Sequence, residues 1–310
     1  AGYIGCTSKV PEEDHRDGWV FAQCIKFIEE DIDETRPLFL YLSFLKPHAA
    51  HNVPVGYEEL YNIDDMPVPE QPAKDRVEPC HATGLNREAM YRGFWSKADK
   101  RQWQQMILRY RANCSWIDSM FGRVMEKLKA RGVLDNCLIV YAADHGEMLG
   151  ERYYRFNKYC LFESSVRVPI IVAGTRLPGG RKGTVDHRPA ELLDIRPTIL
   201  RVAGIKTDPH KPGRDLLKPA VKTGTFCEFH GHRKTPAYMW RNGKHKLILC
   251  MRKSETEQGF GPGAVASGEL YDLENDPQEW DNVFGDESYA AVRKKMSREL
   301  IDHLNTYLRS

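Results

Sequence analysis

Between Cys137 and Ala143 the chain reads Cys-Leu-Ile-Val-Tyr-Ala-Ala and then halts on Asp144-His145-Gly146-Glu147. So short an apolar run, rich in branched residues, suits a buried strand better than a helix. Just before it, Asp99 to Arg131 carries a strong helical period: Tyr110, Cys114, Ile117, Phe121, Val124 and Leu128 recur every three or four residues, and Gly132 closes the helix. A helix feeding straight into a buried strand is an α-to-β unit of a mainly parallel α/β sheet flanked by helices. In such sheets ligands sit just beyond the carboxyl ends of the strands. Asp144 and His145 therefore stand where a metal or an anionic substrate would be held. A carboxylate beside an imidazole suits a divalent cation; a solvated turn is the competing reading of the same residues.

Two further runs repeat the strand pattern. Leu38 to Phe44 leads into Lys46-Pro47-His48, with His51 shortly after, and Val168 to Gly174 follows the central loop. Gly18 to Glu30 reads as a helix with Val20, Cys24, Phe27 and Ile28 on one face. Asn62 to Pro79, rich in Pro and acidic residues, reads as a surface excursion. Gly174 to Gly183 lacks the Gly-Lys-Ser/Thr ending of a phosphate-binding loop and reads as a turn. Asp194 is placed to cap a short helix that ends at Gly204.

Composition shifts to Pro, Gly and Lys between Pro209 and Gly224, which sets a boundary between residues 1–215 and 216–310. Beyond it, Asn242-Gly243 between apolar runs signals a hairpin. Thr225–Phe229, Glu269–Leu273 and an amphipathic helix over Tyr289–Leu308 complete a small antiparallel sheet with one helix. His230, with His232 and Arg233, reads first as a solvated basic loop and second as a contact for an anionic substrate.

The totals narrow the function classes. With 45 Lys and Arg against 43 Asp and Glu, the formal charge of +2 gives no case for attraction to nucleic acid or membrane. No apolar run is long enough to span a bilayer, and Ala1-Gly-Tyr-Ile-Gly has neither a basic leader nor a long apolar core. Eight cysteines in 310 residues are too dilute for a disulfide scaffold, and no Cys-x-x-Cys pair suggests a zinc ribbon. Asn113-Cys114-Ser115 matches a glycosylation acceptor but falls inside the expected helix.

The stretch Ala143-Asp-His-Gly-Glu-Met-Leu-Gly150, Lys158 and Glu163-Ser-Ser-Val-Arg-Val-Pro169 resembles the second signature region of the sulfatase family, part of the alkaline-phosphatase-like superfamily. Phe39-Leu-Tyr-Leu-Ser-Phe-Leu-Lys-Pro-His48 resembles that family too, as do the Asp194–Gly204 helix, the hairpin, Leu270-Tyr-Asp-Leu-Glu-Asn-Asp-Pro277 and the last helix. The resemblance implies that Asp144 and His145 ligate a divalent cation, usually Ca2+. It implies that Lys158 contacts the sulfate group and that His48 bonds the sulfate ester. The substrate would be a sulfated small molecule or glycan, and the compartment periplasmic, secreted or lysosomal in type.

The resemblance covers only the later part of such an enzyme. None of the eight cysteines is followed by x-Pro/Ala-x-Arg, the motif whose Cys becomes formylglycine, and no Asp-Asp pair follows an early strand. The chain alone is therefore expected to hold metal weakly and to catalyse little. The missing N-terminal part of the catalytic domain, or an oligomeric partner, is expected to cover the strands left bare. Two alternatives stay open: a phosphodiesterase or phosphonate hydrolase of the same superfamily, and a truncated, non-catalytic module that binds sulfated glycans or a partner.

Overall fold

The computed structural model describes residues 4–73, 81, 93–175, 177, 183–208, 210–219, 222–231, 235–257 and 259–307. His232 and Arg233 lie outside the described residues. The chain divides into two compact units, Ala1–Pro69 with Lys97–Cys137, and Glu70–Ser96 with Leu138–Ser310.

The first unit contains β1 (Thr7–Ser8), α1 (Arg16–Lys26), β2 (Val53–Pro54) and the long α2 (Lys100–Ala130). A reciprocal cap starts α2. The Asp99 carboxylate accepts the Gln102 N–H at 2.8 Å, and the Gln102 side chain accepts the Asp99 N–H at 2.9 Å. Gly132, at φ +70°, takes the left-handed conformation that stops the helix. Ile117, Val124 and Leu128 are buried as their spacing demands, against Phe21, Cys24 and Ile28 from α1 and the turn that continues it. Trp116 and Met120 fill the centre of this seam, while Cys114 is exposed. Asn113 is buried, its amide donating to the Arg109 carbonyl at 2.8 Å, which leaves no acceptor for a glycan.

Leu38–Phe44 departs from the expected strand. Leu38, Leu40, Leu42 and Phe44 pack on the same core, whereas Phe39 and Tyr41 stand 71% and 81% exposed. The alternation is that of a strand, yet among the described residues the segment joins no ladder.

The second unit is built on antiparallel pairing. β3 (Leu138–Ala142) pairs with β6 (Ile170–Gly174), and between them β4 (Met148–Leu149) pairs with β5 (Phe156–Asn157). After α3 (Ile195–Val202), strands β7 (Thr225–Phe229), β8 (Ala237–Arg241), β9 (His245–Met251) and β10 (Val265–Asp272) form one sheet in the order 10-9-8-7, and α4 (Ala290–Tyr307) closes the unit. The expectation of a mainly parallel sheet is thus corrected: β1–β2 is the sole parallel ladder among the described residues. A parallel return needs a crossover, usually a helix. The link from β3 to β6 carries the β4–β5 ladder and two single helical turns, at Glu151–Tyr154 and Glu163–Val166, so β6 comes back in the reverse sense.

The C-terminal sheet is buried on both faces. Tyr238, Trp240, Leu247, Leu249 and Leu270 meet Met296, Leu300 and Leu304 of α4. On the other face Ala237, Met239, Ile248, Cys250 and Tyr271 meet Met148, Cys160, Leu161 and Phe162. Two-sided burial explains why β9 reads as a continuous apolar run. It also makes this sheet the floor on which residues 148–162 are laid. Asp194 is fully buried but does not cap α3 with its side chain. Its carboxylate instead accepts the N–H groups of Glu191 and Arg214 and pairs with Lys222.

Candidate active site

The loop after β3 is held by its glycine. The Gly146 N–H donates to the Ser165 carbonyl at 2.7 Å. A Cβ on residue 146 would lie 2.1 Å from the Ser164 carbonyl oxygen, so only glycine lets the two backbones approach. This contact sets Asp144 and His145 against the Glu163–Val166 turn.

Asp144 and His145 are oriented as two donors facing one side. Asp144 Oδ1 accepts the His145 N–H at 3.0 Å. Asp144 Oδ2 lies 3.5 Å from His145 Nε2, and the Asp144 side chain is 87% exposed. His145 Nδ1 is 2.7 Å from the Gly146 carbonyl. A carbonyl can only accept, so Nδ1 carries a proton, and in the neutral ring Nε2 is the nitrogen with the lone pair. An imidazole that donates one N–H to backbone and offers the other nitrogen is the usual form of a metal-ligating histidine. The pair therefore fits one corner of a divalent-cation site. It falls short of the six to eight oxygens calcium takes, and no group of three or more His, Cys, Asp or Glu residues able to hold a metal occurs among the described residues.

Lys158 is delivered by the small β4–β5 ladder. Met148 pairs with Asn157, so one step further in that antiparallel register places Lys158 opposite Glu147. The Lys158 carbonyl accepts the Cys160 N–H at 2.9 Å and the Ser165 hydroxyl at 3.0 Å, which fixes its backbone. Glu147 carries no role in the sequence reading. Its Oε1 is buried and has no hydrogen-bond partner among the described residues. Burial pushes its carboxyl up to about 7, against the opposing pull of the Lys158 charge. An acid in a Gly-flanked loop reads as solvated, so only the ladder register could have exposed this pairing.

A buried ion cluster anchors the segment from below. Lys246 on β9 is fully buried. Its Nζ donates to the Leu161 carbonyl at 3.0 Å and lies 2.8 Å from Glu163 Oε1 and 2.7 Å from Glu279 Oε1. Arg241 also reaches Glu163, at 3.1 Å. Burial raises the Glu163 carboxyl, but Lys246 and then Arg241 more than offset this, and it rests below its ordinary value.

His48 belongs to the first unit. Its Nδ1 lies 2.5 Å from the Ala49 carbonyl, so Nδ1 is again the protonated nitrogen and Nε2 is the one left for a ligand. His51 is fully buried and packs edge-on against Tyr110 at 5.7 Å. Burial, and next the Lys46 charge, push its imidazole down to about 4, so it stays neutral and serves the packing. His230, at the end of β7, is exposed, with Nε2 3.2 Å from Glu228 Oε2 and its ring edge-on to Tyr238. A carboxylate at that distance opposes an anion beside the same ring.

A family model described as Sulfatase matches residues 6–205, and one described as N-sulphoglucosamine sulphohydrolase, C-terminal, matches residues 150–306. The chain is 30% identical over 265 residues to a choline-sulfatase of Rhizobium meliloti, covering 82% of this chain and 48% of that protein. The chain spans about half the length of the curated relatives it matches. Among solved structures it resembles a protein in complex with its substrate D-glucosamine-2-N,6-O-disulfate, with a TM-score of 0.74, 20% identity, and coverage of 96% of this chain and 70% of that one. It also resembles a phosphonate monoester hydrolase of Agrobacterium radiobacter, with a TM-score of 0.76, 23% identity, and coverage of 97% and 63%. At these identities the two likenesses establish the fold.

Proposed function

The chain belongs to the sulfatase family, and on that premise we propose that it contributes to metal-assisted hydrolysis of sulfate monoesters carried on a small molecule or glycan. The observation that supports this best is the state of the side chains the family resemblance singles out. His145 and His48 each commit Nδ1–H to a backbone carbonyl and leave Nε2 for a ligand. Asp144 and His145 would hold a divalent cation, with Ca2+ as the proposed ion. Bound there, the cation would withdraw charge from the sulfuryl oxygens.

The chain's own residues supply the rest of its share. The Lys158 ammonium is a compact point charge for an oxyanion. Its backbone is tied down and its neighbour Glu147 is opposed to it in the ladder, so it can bind and orient a sulfuryl group. With Nδ1–H on the Ala49 carbonyl, His48 would meet the ester through Nε2 once that nitrogen also carries a proton, and that proton would serve the departing alkoxide. His230 is proposed as an outer substrate contact. No cysteine here has the x-Pro/Ala-x-Arg sequence behind it, so the nucleophile is proposed to come from residues beyond this sequence. Those residues, or a second subunit, would also pair with Leu38–Phe44 and cover Phe39 and Tyr41. The catalytic portion is proposed to end near residue 215, where the C-terminal subdomain begins, and the compartment to be periplasmic, secreted or lysosomal in type. No helix among the described residues is long and apolar enough to cross a membrane.

The test is turnover of 4-nitrophenyl sulfate and of 4-nitrophenyl phenylphosphonate by the native gene product with added calcium. Preference for the sulfate ester supports the proposal. Turnover of the phosphonate alone would replace it with the sister hydrolase activity, and tight binding of a sulfated sugar without turnover of either would replace it with a binding module.

A further inference from the structure

The segment that carries His48 is fixed at both ends by backbone contacts. At one end the Leu45 N–H donates to the buried Asp17 carboxylate at 2.5 Å, which ties the segment to the first turn of α1. At the other end β2 pairs with β1, and the Val53 N–H donates to the Cys6 carbonyl at 3.1 Å. Gly5, at φ +74°, lets the chain pass His51 so closely that a Cβ there would lie 2.2 Å from the His51 carbonyl oxygen. Between these anchors the backbone must still be told which way its carbonyls point.

Lys46 does this. Its Nζ lies 3.3 Å from the His48 carbonyl and 2.5 Å from the Ala50 carbonyl. The carbonyl between those two, of Ala49, is the one that accepts the His48 Nδ1–H. An ammonium has three N–H groups and no acceptor, so a lysine turned onto its own backbone grips two alternate carbonyls and restrains the peptide that lies between them. A loop lysine with no such task would keep its charge in water. Here burial pushes the Lys46 ammonium down, and the nearby Asp17 carboxylate pulls it back up. A desolvated cation that spends its donors inside one loop is costly unless each bond is made.

We propose that Lys46 is a positioning residue: by clamping the carbonyls of His48 and Ala50 it orients the Ala49 carbonyl, which fixes the His48 ring with Nδ1 protonated and Nε2 turned to the ligand. The consequence for turnover rests on the reading that His48 acts on the sulfate ester; the structural part does not.

The experiment reads the His48 ring directly, by nitrogen-15 NMR of histidine-labelled protein, in the wild type and in Lys46→Met and Lys46→Arg. The wild type should show His48 as a single Nδ1–H tautomer. Lys46→Met should turn it into a mixture of tautomers while the melting temperature holds, and Lys46→Arg, which keeps donors in reach, should restore most of the single form. In the native gene product, kcat for an aryl sulfate should fall about 10- to 100-fold in Lys46→Met with a smaller change in KM, the scale expected of a misplaced catalytic group. An unchanged His48 tautomer in folded Lys46→Met overturns the proposal even if activity is lost. If the tautomer shifts and no sulfate ester is turned over by the wild type, the clamp stands and the assigned reaction falls. Should Lys46→Met not fold, Asp17→Asn decides. It keeps an oxygen for the Leu45 N–H but removes the charge facing Lys46, and it must shift the His48 signals in the same direction or the proposal fails.

Discussion

Replacing Lys246 with methionine would test how the C-terminal sheet holds the segment that carries Lys158. The substitution keeps most of the side-chain volume, so the change is electrostatic. Lys246 is fully buried, and its Nζ is within 3.0 Å of the Leu161 carbonyl, Glu163 and Glu279. Glu163 would keep Arg241 at 3.1 Å. Glu279, also buried, would keep among the described residues only the Glu163 N–H, which it accepts at 2.6 Å. Removing one member of a buried ion pair costs about 3–5 kcal/mol, because the charge left behind has no water to return to. The lower end applies here, since Arg241 and that N–H remain, so the expected loss is about 3 kcal/mol at pH 7. The sign with pH follows from Glu163. Its folded-state value lies below the ordinary 4.5. The stability it lends is therefore present above that pH and disappears as pH falls through the lowered value. The gap between wild type and Lys246→Met should shrink in the same window, as the stranded carboxyls take up protons. Urea unfolding at pH 7 and at pH 4 measures both. A loss below about 1 kcal/mol at pH 7, the size of an exposed pair, or a gap that does not narrow at pH 4, would refute the reasoning. Adding Glu279→Gln to Lys246→Met should recover part of the loss at pH 7 and change nothing at pH 4.

Two further changes read the packing around the site. Gly146→Ala places a methyl group 2.1 Å from the Ser164 carbonyl oxygen, a backbone atom that cannot swing away. It should cost about 1–3 kcal/mol in urea unfolding and displace the Asp144 and His145 signals in NMR; a neutral effect would mean the two backbones are not in contact. Leu300→Ala removes a fully buried side chain between α4 and the C-terminal sheet and should lower stability by about 2–5 kcal/mol. Because that face is opposite residues 148–162, it should leave the Lys158 and Glu147 signals unmoved if the protein stays folded.

What the sequence could and could not disclose follows the range of the interactions. The α2 helix, its glycine stop and the Asn242-Gly243 hairpin are local, and β8 and β9 meet across that turn, with Arg241 opposite Lys246. Asp144, His145, Lys158 and His48 stand out as candidates because their residue types follow one another in a recognisable order. The direction of β6 against β3 was not, because an apolar run has no polarity of its own and the connection alone decides it. Leu38–Phe44 has the alternation of a strand, but a ladder also needs a partner, which alternation cannot supply. Glu147 and Lys46 carry no mark in the sequence for a different reason. Charged side chains in loops are solvated by default, and what marks these two is a register one step beyond Met148–Asn157 and a turn of the Lys46 side chain onto its own backbone. The Lys246 cluster joins residues far apart in sequence, and nothing near Lys246 itself announces it.

The central claim is that His48, Lys158 and Asp144 each serve one hydrolysis. It is tested most directly by kcat/KM for 4-nitrophenyl sulfate in the native gene product carrying His48→Ala, Lys158→Ala or Asp144→Ala, alongside each variant's melting temperature. The account predicts that each single change lowers kcat/KM by about 100-fold or more, the scale of losing a proton-transfer or charge-stabilising group, with melting within a few degrees of the wild type. A folded variant at any of the three positions that keeps the wild-type kcat/KM would contradict it.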